Sequence, residues 1–531
     1  MLLDRLRLRF SLPLLVLAVA TVGPWAPAPR AQTISAVMQV GLRILDPVLT
    51  PADTARNHGY MIYDTLLAAD EKFEIRPQMA KDWQVSADNR TYTFTLRDGL
   101  KWHDGAPVKA EDCVASIKRW AIEDKLGQVL MSMVGSITAV DDKAFQIVLK
   151  EPTGLVLSAL GKTSTLTPFM MPKRMAETPS TEAIKEHIGS GPFRFLAAEF
   201  KPGVKAVYEK NRDYLPRGEP PSWGAGGKVV HVDRVEWVTM PDTMTTLNAL
   251  LNGEIDYVEQ VPFDLAPMVE GRADVKLAVL DKLGSWTYLR FNHLQPPFDN
   301  KAIRQAAMYA IGQEDVLKTL IGNPKYYKTC AAVFGCGTPY ASDYGKDIMV
   351  PANAERARQL LKDAKYDGTK VVILRPTDNA MRGAQPLVVA DQLKKAGFTV
   401  ELQAMDWLSV GTRARSKEPT SKGGWSIYVT GGLILSSSDP LSNFPVAANG
   451  PNAMNGWPDV PRIEELKAKF ARTGDKAELN RIAEELQRLV VDEATFQPLG
   501  QYDILSAYST KLSGVLEAPL PLFWNMKKAA R

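Results

Sequence analysis

The stretch Leu96–Asp112, LRDGLKWHDGAPVKAED, sets His103 among Asp98, Asp104, Glu111 and Asp112, residue types able to relay protons or hold a cation. Neither chemistry has the spacing it needs. A zinc site asks for histidine and cysteine ligands at fixed intervals. The five histidines (His58, His103, His187, His231, His293) form no HExxH, and the three cysteines form no CxxC. The sequence also lacks a GxSxG elbow, an SxxK pair and a GxxxxGK(S/T) phosphate loop. The glycine-rich PSWGAGGK (221–228) has the wrong spacing for a phosphate loop and reads as a surface turn. No catalytic residue, metal or cofactor is expected. The charged stretch reads better as a corner. TYTFTL alternates as a strand, Gly105 and Pro107 supply a turn, and a helix begins near Ala110 with Glu111 and Asp112 facing its dipole. Lys109, before that helix, has no side-chain oxygen to cap it, so the cap must come from elsewhere.

The elements around such corners are mixed α and β. KVVILRP (370–376) is a strand, AQPLVVADQLKKAG a helix ending at Gly397, and FTVELQAM a second strand. That β–α–β order implies parallel pairing with a right-handed crossover. DNKAIRQAAMYAIG has Asp299 or Asn300 as N-cap, with a second short helix running to Gly322. Residues 475–493 place Leu479, Ile482, Ala483, Leu486, Leu489 and Val490 on one helical stripe. TYTFTLRDGLKW and KAFQIVLKE instead alternate like strands of an antiparallel sheet. No low-complexity linker divides the 531 residues, a length that exceeds one core; domains entered more than once by the chain are the expectation.

The first residues differ from the rest. MLLDRLRLRF is basic, SLPLLVLAVATV is apolar but well short of the roughly 20 residues that span a bilayer, and APAPRAQ is rich in small residues. This is the pattern of a secretory signal peptide over 1–31, cleaved near Ala31. Its loss removes four arginines and one aspartate, so the formal +4 falls to +1 and leaves no electrostatic case for nucleic acid. An exported protein meets oxidising conditions, where Cys330 and Cys336 in TCAAVFGCG are candidates for a local disulfide. Cys113 reads as a buried thiol. Trp407, Trp425 and Trp457 flank the polar, loop-like runs TGGLILSSSDPLSNF and NGPNAMNGWPD, the kind of segment that binds ligands from a rigid scaffold.

The long segment YDTLLAADEKFEIRPQMAKDWQVSADNRTYTFTLRDGLKWHDGAPVKAEDCVASIKR resembles the signature of the family 5 extracellular solute-binding proteins. IGSGPFRF with KNRDY, TTLNALLNGEIDYVEQVP and YLRFNHLQPPFDNKAIRQAAMYAI resemble further family segments in order, so the likeness runs from about residue 38 to 515. It implies an α/β, two-lobed periplasmic binding protein (type II, cluster C-like) with an extra, mostly β domain inserted in lobe one. On this chain, lobe one would be 32–72 with 190–288 and 495–531, the inserted domain 73–189 and lobe two 289–494. The implied role is the periplasmic, monomeric receptor of an ABC importer. It closes its hinged lobes on a solute and docks on a membrane permease, while separate ATPase subunits hydrolyse ATP.

The resemblance also suggests ligand residues. MDWLSVGTR offers Trp407 and Arg413, a polar turn before the first helix offers Asn57 and His58, and the tryptophan-flanked loops add Trp457. Peptide-binding relatives carry an aspartate for the peptide's amino group three residues before an acidic-Pro pair. Here that pair is Asp439-Pro440, and Ser436 stands at the aspartate's place. A serine supplies no counter-charge for a buried ammonium, although Asp439 is close by in sequence. A peptide-like solute is the first reading, and an opine, glycoside or modified amino acid in the same fold is the alternative. A remote third reading, an exported serine hydrolase using Ser436–Ser438, His58 and Asp439, needs a nucleophile and base held together.

Overall fold

The computed structural model describes residues 32–378 and 380–529, so the segment read as a signal peptide, with its cleavage point, lies outside the described residues. Among the described residues no helix is long and apolar enough to cross a membrane, and no His/Cys/Asp/Glu group is placed to hold a metal ion.

Two large mixed sheets form the two lobes. The first has seven strands in the order 193–195, 205–210, 234–238, 33–37, 257–258, 505–509 and 275–279. Thr33–Val37 runs parallel to both Arg234–Val238 and Tyr257–Val258. The second sheet has six strands in the order 327–328, 496–502, 285–291, 427–433, 371–376 and 400–405. Val371–Pro376 and Val400–Met405 pair in parallel on either side of the helix Ala380–Lys395, the expected β–α–β unit. Val371, Val372, Ile373 and Leu374 are all buried, as a strand covered on both faces requires.

Sheet membership moves two of the expected domain boundaries. The chain passes from the first sheet to the second between Val279 and Ser285 and returns between Tyr502 and Leu505. Position 289 therefore falls inside the strand Ser285–Phe291. Phe496–Tyr502 joins the second lobe rather than the first-lobe segment 495–531. The reason is pairing: Phe496–Tyr502 lies antiparallel against Ser285–Phe291 and completes that sheet.

The inserted region is built on a four-stranded antiparallel sheet, Ala80–Val85, Thr91–Leu96, Ala144–Leu149 and Val134–Ala139. Its alternation buries Tyr92, Phe94, Leu96, Phe145, Ile147 and Leu149 on one face. The helices Ala110–Glu123 and Lys125–Met133 belong to the same core, so the region is a helix-covered sheet rather than a mostly β unit.

The corner at its edge is structural. His103 Nδ1 accepts the Gly189 N–H at 3.2 Å, and its Nε2 lies 3.2 Å from the Gly191 carbonyl oxygen. Asp104 takes Arg174 Nη2 at 2.8 Å. Lys109 gives no side-chain cap, and Asp112 supplies the other half of a capping box, its Oδ2 accepting the Lys109 backbone N–H at 2.8 Å. Asn300 caps the helix Lys301–Ala310 by accepting the Ala302 N–H. Cys330 and Cys336 are joined by a disulfide, and Cys113 is a buried free thiol.

One local reading fails. Trp223–Lys228 is no surface turn but an enclosed loop, with Lys228 Nζ 2.7 Å from Asp64 Oδ1 and both side chains buried. The glycines allow it: Gly226 has φ +79°, and a Cβ there would stand 2.1 Å from the Pro220 carbonyl oxygen. The chain folds back so tightly that the lysine points inward, where Trp524 covers its ammonium at 4.9 Å.

Candidate functional site

Between the lobes lies a cleft of about 600 Å³, bordered by the two crossover segments through Asp281 and Ser285 on one and Tyr502 and Ile504 on the other. That volume suits a small solute.

The first-lobe wall lies at the carboxyl ends of parallel strands, where open α/β sheets present their ligand sites. Gln39 follows Thr33–Val37, Glu259 follows Tyr257–Val258, and the helix Asp53–Ile62 points its first turn at the same cleft. Asp53 Oδ1 lies 3.0 Å from Arg56 Nη1. Glu259 Oε2 accepts the Gln39 N–H at 2.7 Å, and its Oε1 accepts the Asn57 side-chain amide at 3.2 Å. Burial pushes the Glu259 carboxyl up to about 6, with the charge of Asp53 acting in the same direction. Asp281 is buried, accepts the Leu283 N–H at 2.9 Å through Oδ1, and has no hydrogen-bond partner at Oδ2. Burial raises its carboxyl too.

The second-lobe wall is mostly backbone. Val429, Thr430, Gly431, Gly432 and Leu433 are consecutive and all line the cleft. On one side this strand pairs with Ser285–Phe291; on the other, its pairing with Val371–Pro376 is confined to Ile427. The Ile434 N–H donates to the Gly284 carbonyl. In an antiparallel ladder that assigns the even positions to the Ser285–Phe291 side and turns the N–H and C=O of Val429, Gly431 and Leu433 outward. Gly431 sits so close to the neighbouring strand that a Cβ would meet the Trp286 carbonyl oxygen at 2.3 Å, whereas one on Gly432 would meet nothing within 4 Å. Arg382 and Gln385 complete this wall. The arrangement offers an unpaired strand edge opposite a carboxylate-rich face.

The residues singled out from sequence distribute unevenly. Asn57 lies behind the wall in a helix, not a polar turn, and holds Glu259 and Arg56 through its amide. His58, one position on, faces the first-lobe core: Nδ1 is hydrogen-bonded to Tyr208 at 2.9 Å, Phe195 packs edge-on, and burial lowers its pKa to about 3. Trp407 reaches the site at one remove, with the guanidinium of Arg382 stacked 4.1 Å over its ring. Arg413 donates to the carbonyls of Gly423 and Gly424 and so clamps a loop away from the cleft. Trp457 packs on Trp425 in the apolar cluster that Trp407 borders, so the tryptophan cluster exists, but as packing. Ser436 lies in the short turn Ile434–Ser437 just past the cleft-lining Leu433. Asp439 accepts the Leu441 and Ser442 N–H groups and lines a separate cavity of about 220 Å³ between the inserted region and lobe two. Among the described residues no hydrogen bond joins His58 to Ser436, Ser437, Ser438 or Asp439, so the hydrolase arrangement is not assembled.

Sequence reasoning missed Gln39, Asp53, Arg56, Glu259, Asp281 and Arg382. Only the TGGLILSSSDP run, which contains Gly431 and Gly432, was marked by its composition.

Residues 74–455 match the family model for bacterial extracellular solute-binding proteins, family 5 Middle. A protein of Sinorhizobium fredii (strain NBRC 101917 / NGR234), named a probable peptide ABC transporter periplasmic-binding protein, is 41% identical over 509 residues, covering 94% of this chain and 95% of its own. A glutathione-binding protein of Pectobacterium atrosepticum is 27% identical, covering 92% of each chain. Among solved structures, a binding protein of A. tumefaciens R10 in complex with agropinic acid superposes with a TM-score of 0.73 at 24% identity, covering 94% of this chain and 99% of that one. A Helicobacter pylori periplasmic binding protein in complex with the peptide STSA gives a TM-score of 0.73 at 21% identity, covering 94% and 98%. These structural likenesses show the two-lobed fold. Family model and sequence identity, spread over nearly the whole chain, settle the membership: the chain belongs to the family 5 bacterial extracellular solute-binding proteins.

Proposed function

We propose that this protein is the periplasmic receptor of an ABC importer, and that it captures a short peptide-like solute in the cleft between its lobes. The unpaired edge Val429–Leu433 carries the reading. An extended main chain laid along it gains backbone hydrogen bonds that the sheet itself leaves unmade, the mode of recognition called strand addition. Charged groups on the two walls then meet the solute's ends. The relatives named for peptide and glutathione binding support the same class. Closure follows from solute contacts with both walls, because a ligand stabilises the state it touches more fully. The closed monomer docks on the permease, whose ATPase partners drive transport.

A second reading, an opine or related non-peptide solute, is favoured by Ser436. At that position peptide-binding relatives carry an aspartate, and the agropinic acid complex shows that this fold accommodates such solutes. Thermal-shift screening with di- to hexapeptides and opines separates the two, since a solute at 100 times its Kd adds about 2.7 kcal/mol of stability. Shifts with opines alone would overturn the peptide reading, and mass spectrometry of the solute co-purified from the periplasm gives an independent answer.

A further inference from the structure

The first-lobe wall holds more negative charge than it neutralises. Asp53, Glu259 and Asp281 line it with a single cation, Arg56, and that guanidinium is already engaged by Asp53 at 3.0 Å and by Asn57 Oδ1 at 3.0 Å. Among the described residues Glu259 accepts only from a backbone N–H and a neutral amide, and Asp281 Oδ2 accepts from nothing. Among the described residues neither carboxylate makes an ion pair with a side chain. An ionised carboxylate withdrawn from water without a counter-charge is costly, and folded proteins rarely leave one so placed.

The two carboxylates share one edge of the sheet. Tyr257–Val258 and Val275–Val279 each pair antiparallel with Leu505–Ser509 from opposite sides, so they run in the same direction. Glu259 and Asp281 each follow the end of one of these strands. The shared partner strand sets Glu259 level with Ala278, so Asp281 lies two strands across, about 10 Å, and three residues further along, and the two carboxylates border the same cleft at separate points.

We propose that Glu259 and Asp281 form a cation-accepting subsite that takes an amino group of the solute, supplying from the first lobe the counter-charge that Ser436 cannot supply from the second. The proposal rests on the reading that the interlobe cleft holds the solute, and it fixes the solute's polarity: amino end on the first lobe, main chain along Val429–Leu433 of the second. An ammonium donating to either carboxylate forms charge-assisted hydrogen bonds, the stronger class, while the other carboxylate adds to the field that holds it, and it offsets part of the wall's excess negative charge as the lobes close.

The test is calorimetric titration of the full chain with trialanine and with N-acetyltrialanine, using wild type, Glu259→Gln and Asp281→Asn, each checked for an intact thermal transition. Wild type is expected to bind trialanine at least tenfold more tightly than the acetylated form, and each variant to lose most of that preference. Equal affinity of wild type for the two tripeptides, or a preference that survives both substitutions, overturns the subsite while leaving the peptide reading standing. If neither tripeptide binds, lysine and putrescine are compared with their N-acetylated forms on the same proteins. Preference for the free amines, lost in the variants, supports the subsite and overturns the peptide reading alone; absence of any such preference overturns the subsite.

Discussion

Lys228 Nζ lies 2.7 Å from Asp64 Oδ1, with 0% and 1% of the two side chains exposed, and the Tyr214 hydroxyl donates to the other carboxylate oxygen at 2.9 Å. This buried pair ties the glycine loop to the segment that leads from the first helix into the inserted region. Breaking one half strands the other without solvent. Lys228→Met should therefore destabilise by about 3–5 kcal/mol, read as a lowered denaturant midpoint. The double variant Lys228→Met/Asp64→Leu should lose less than the two single losses combined, because no charge is left unpaired.

Gly432 offers a test of the strand edge that spares the fold. A Cβ there meets nothing within 4 Å, and its φ is not in the left-handed region. Gly432→Val should leave the melting temperature within a few degrees of wild type, since valine suits a strand. The added side chain projects from the sheet face beside that edge, into space the solute's own side chains would share, so affinity should fall by about tenfold, about 1.4 kcal/mol. Undiminished affinity would place the solute elsewhere.

Glu259 should make binding of an amine pH-dependent. Its carboxyl rises from 4.5 to about 6 on folding, so the protonated form is the one the solute-free fold favours. The stability it contributes is present as pH falls toward 4.5 and is lost as pH rises through 6. For an amino solute the sign reverses: the ionised form is the receptor, and affinity should fall below pH 6 by at most about tenfold per pH unit for one titrating group. The charged groups acting on it are Asp53 and Arg56, with Asp281 further along the same wall and Arg382 across the cleft. His58, held at about 3 by burial, does not titrate in that window. Titration at pH 5, 6 and 7 should show this slope in wild type and its absence in Glu259→Gln.

His103→Ala tests the corner. The imidazole bridges the Gly189 N–H and the Gly191 carbonyl, and burial holds its pKa near 4, so it is neutral at physiological pH. Removing it leaves the Gly189 N–H buried and unpaired, while the Gly191 carbonyl keeps the Asn211 amide at 3.0 Å, a loss of about 1–3 kcal/mol. Solute affinity should not change. A variant that kept its stability and lost binding would reverse the assignment.

Much of the fold was legible because its signals are local. The β–α–β unit, the stripe on Lys476–Asp492 and the Asn300 cap each depend on residues a few positions apart. The enclosed loop at Trp223–Lys228 was not legible. Its composition is that of a surface turn, and only the distant partners Asp64, Tyr60 and Trp524 explain a buried lysine. The boundary at 495 failed for a related reason, since nothing in FQPLGQY states which of two sheets will pair with it.

The candidate site shows the same division at finer grain. Family, two-lobed architecture and the corner of Leu96–Asp112 follow from the sequence alone, because long ordered motifs, periodicity and capping are written in neighbouring residues. Which side chains face the solute does not. Along the helix Asp53–Ile62 each residue turns about 100° from the last, so Arg56 lines the cleft, Asn57 supports it from behind and His58 enters the core. Glu259 meets the Gln39 backbone across a sequence separation of 220 only because two parallel strands end side by side. Asp281 lacks a counter-ion only because of what the fold places around it. Chain order fixes composition and period; the direction of a side chain and the charge balance of a wall arise when distant segments pack, and that is decided in the tertiary structure.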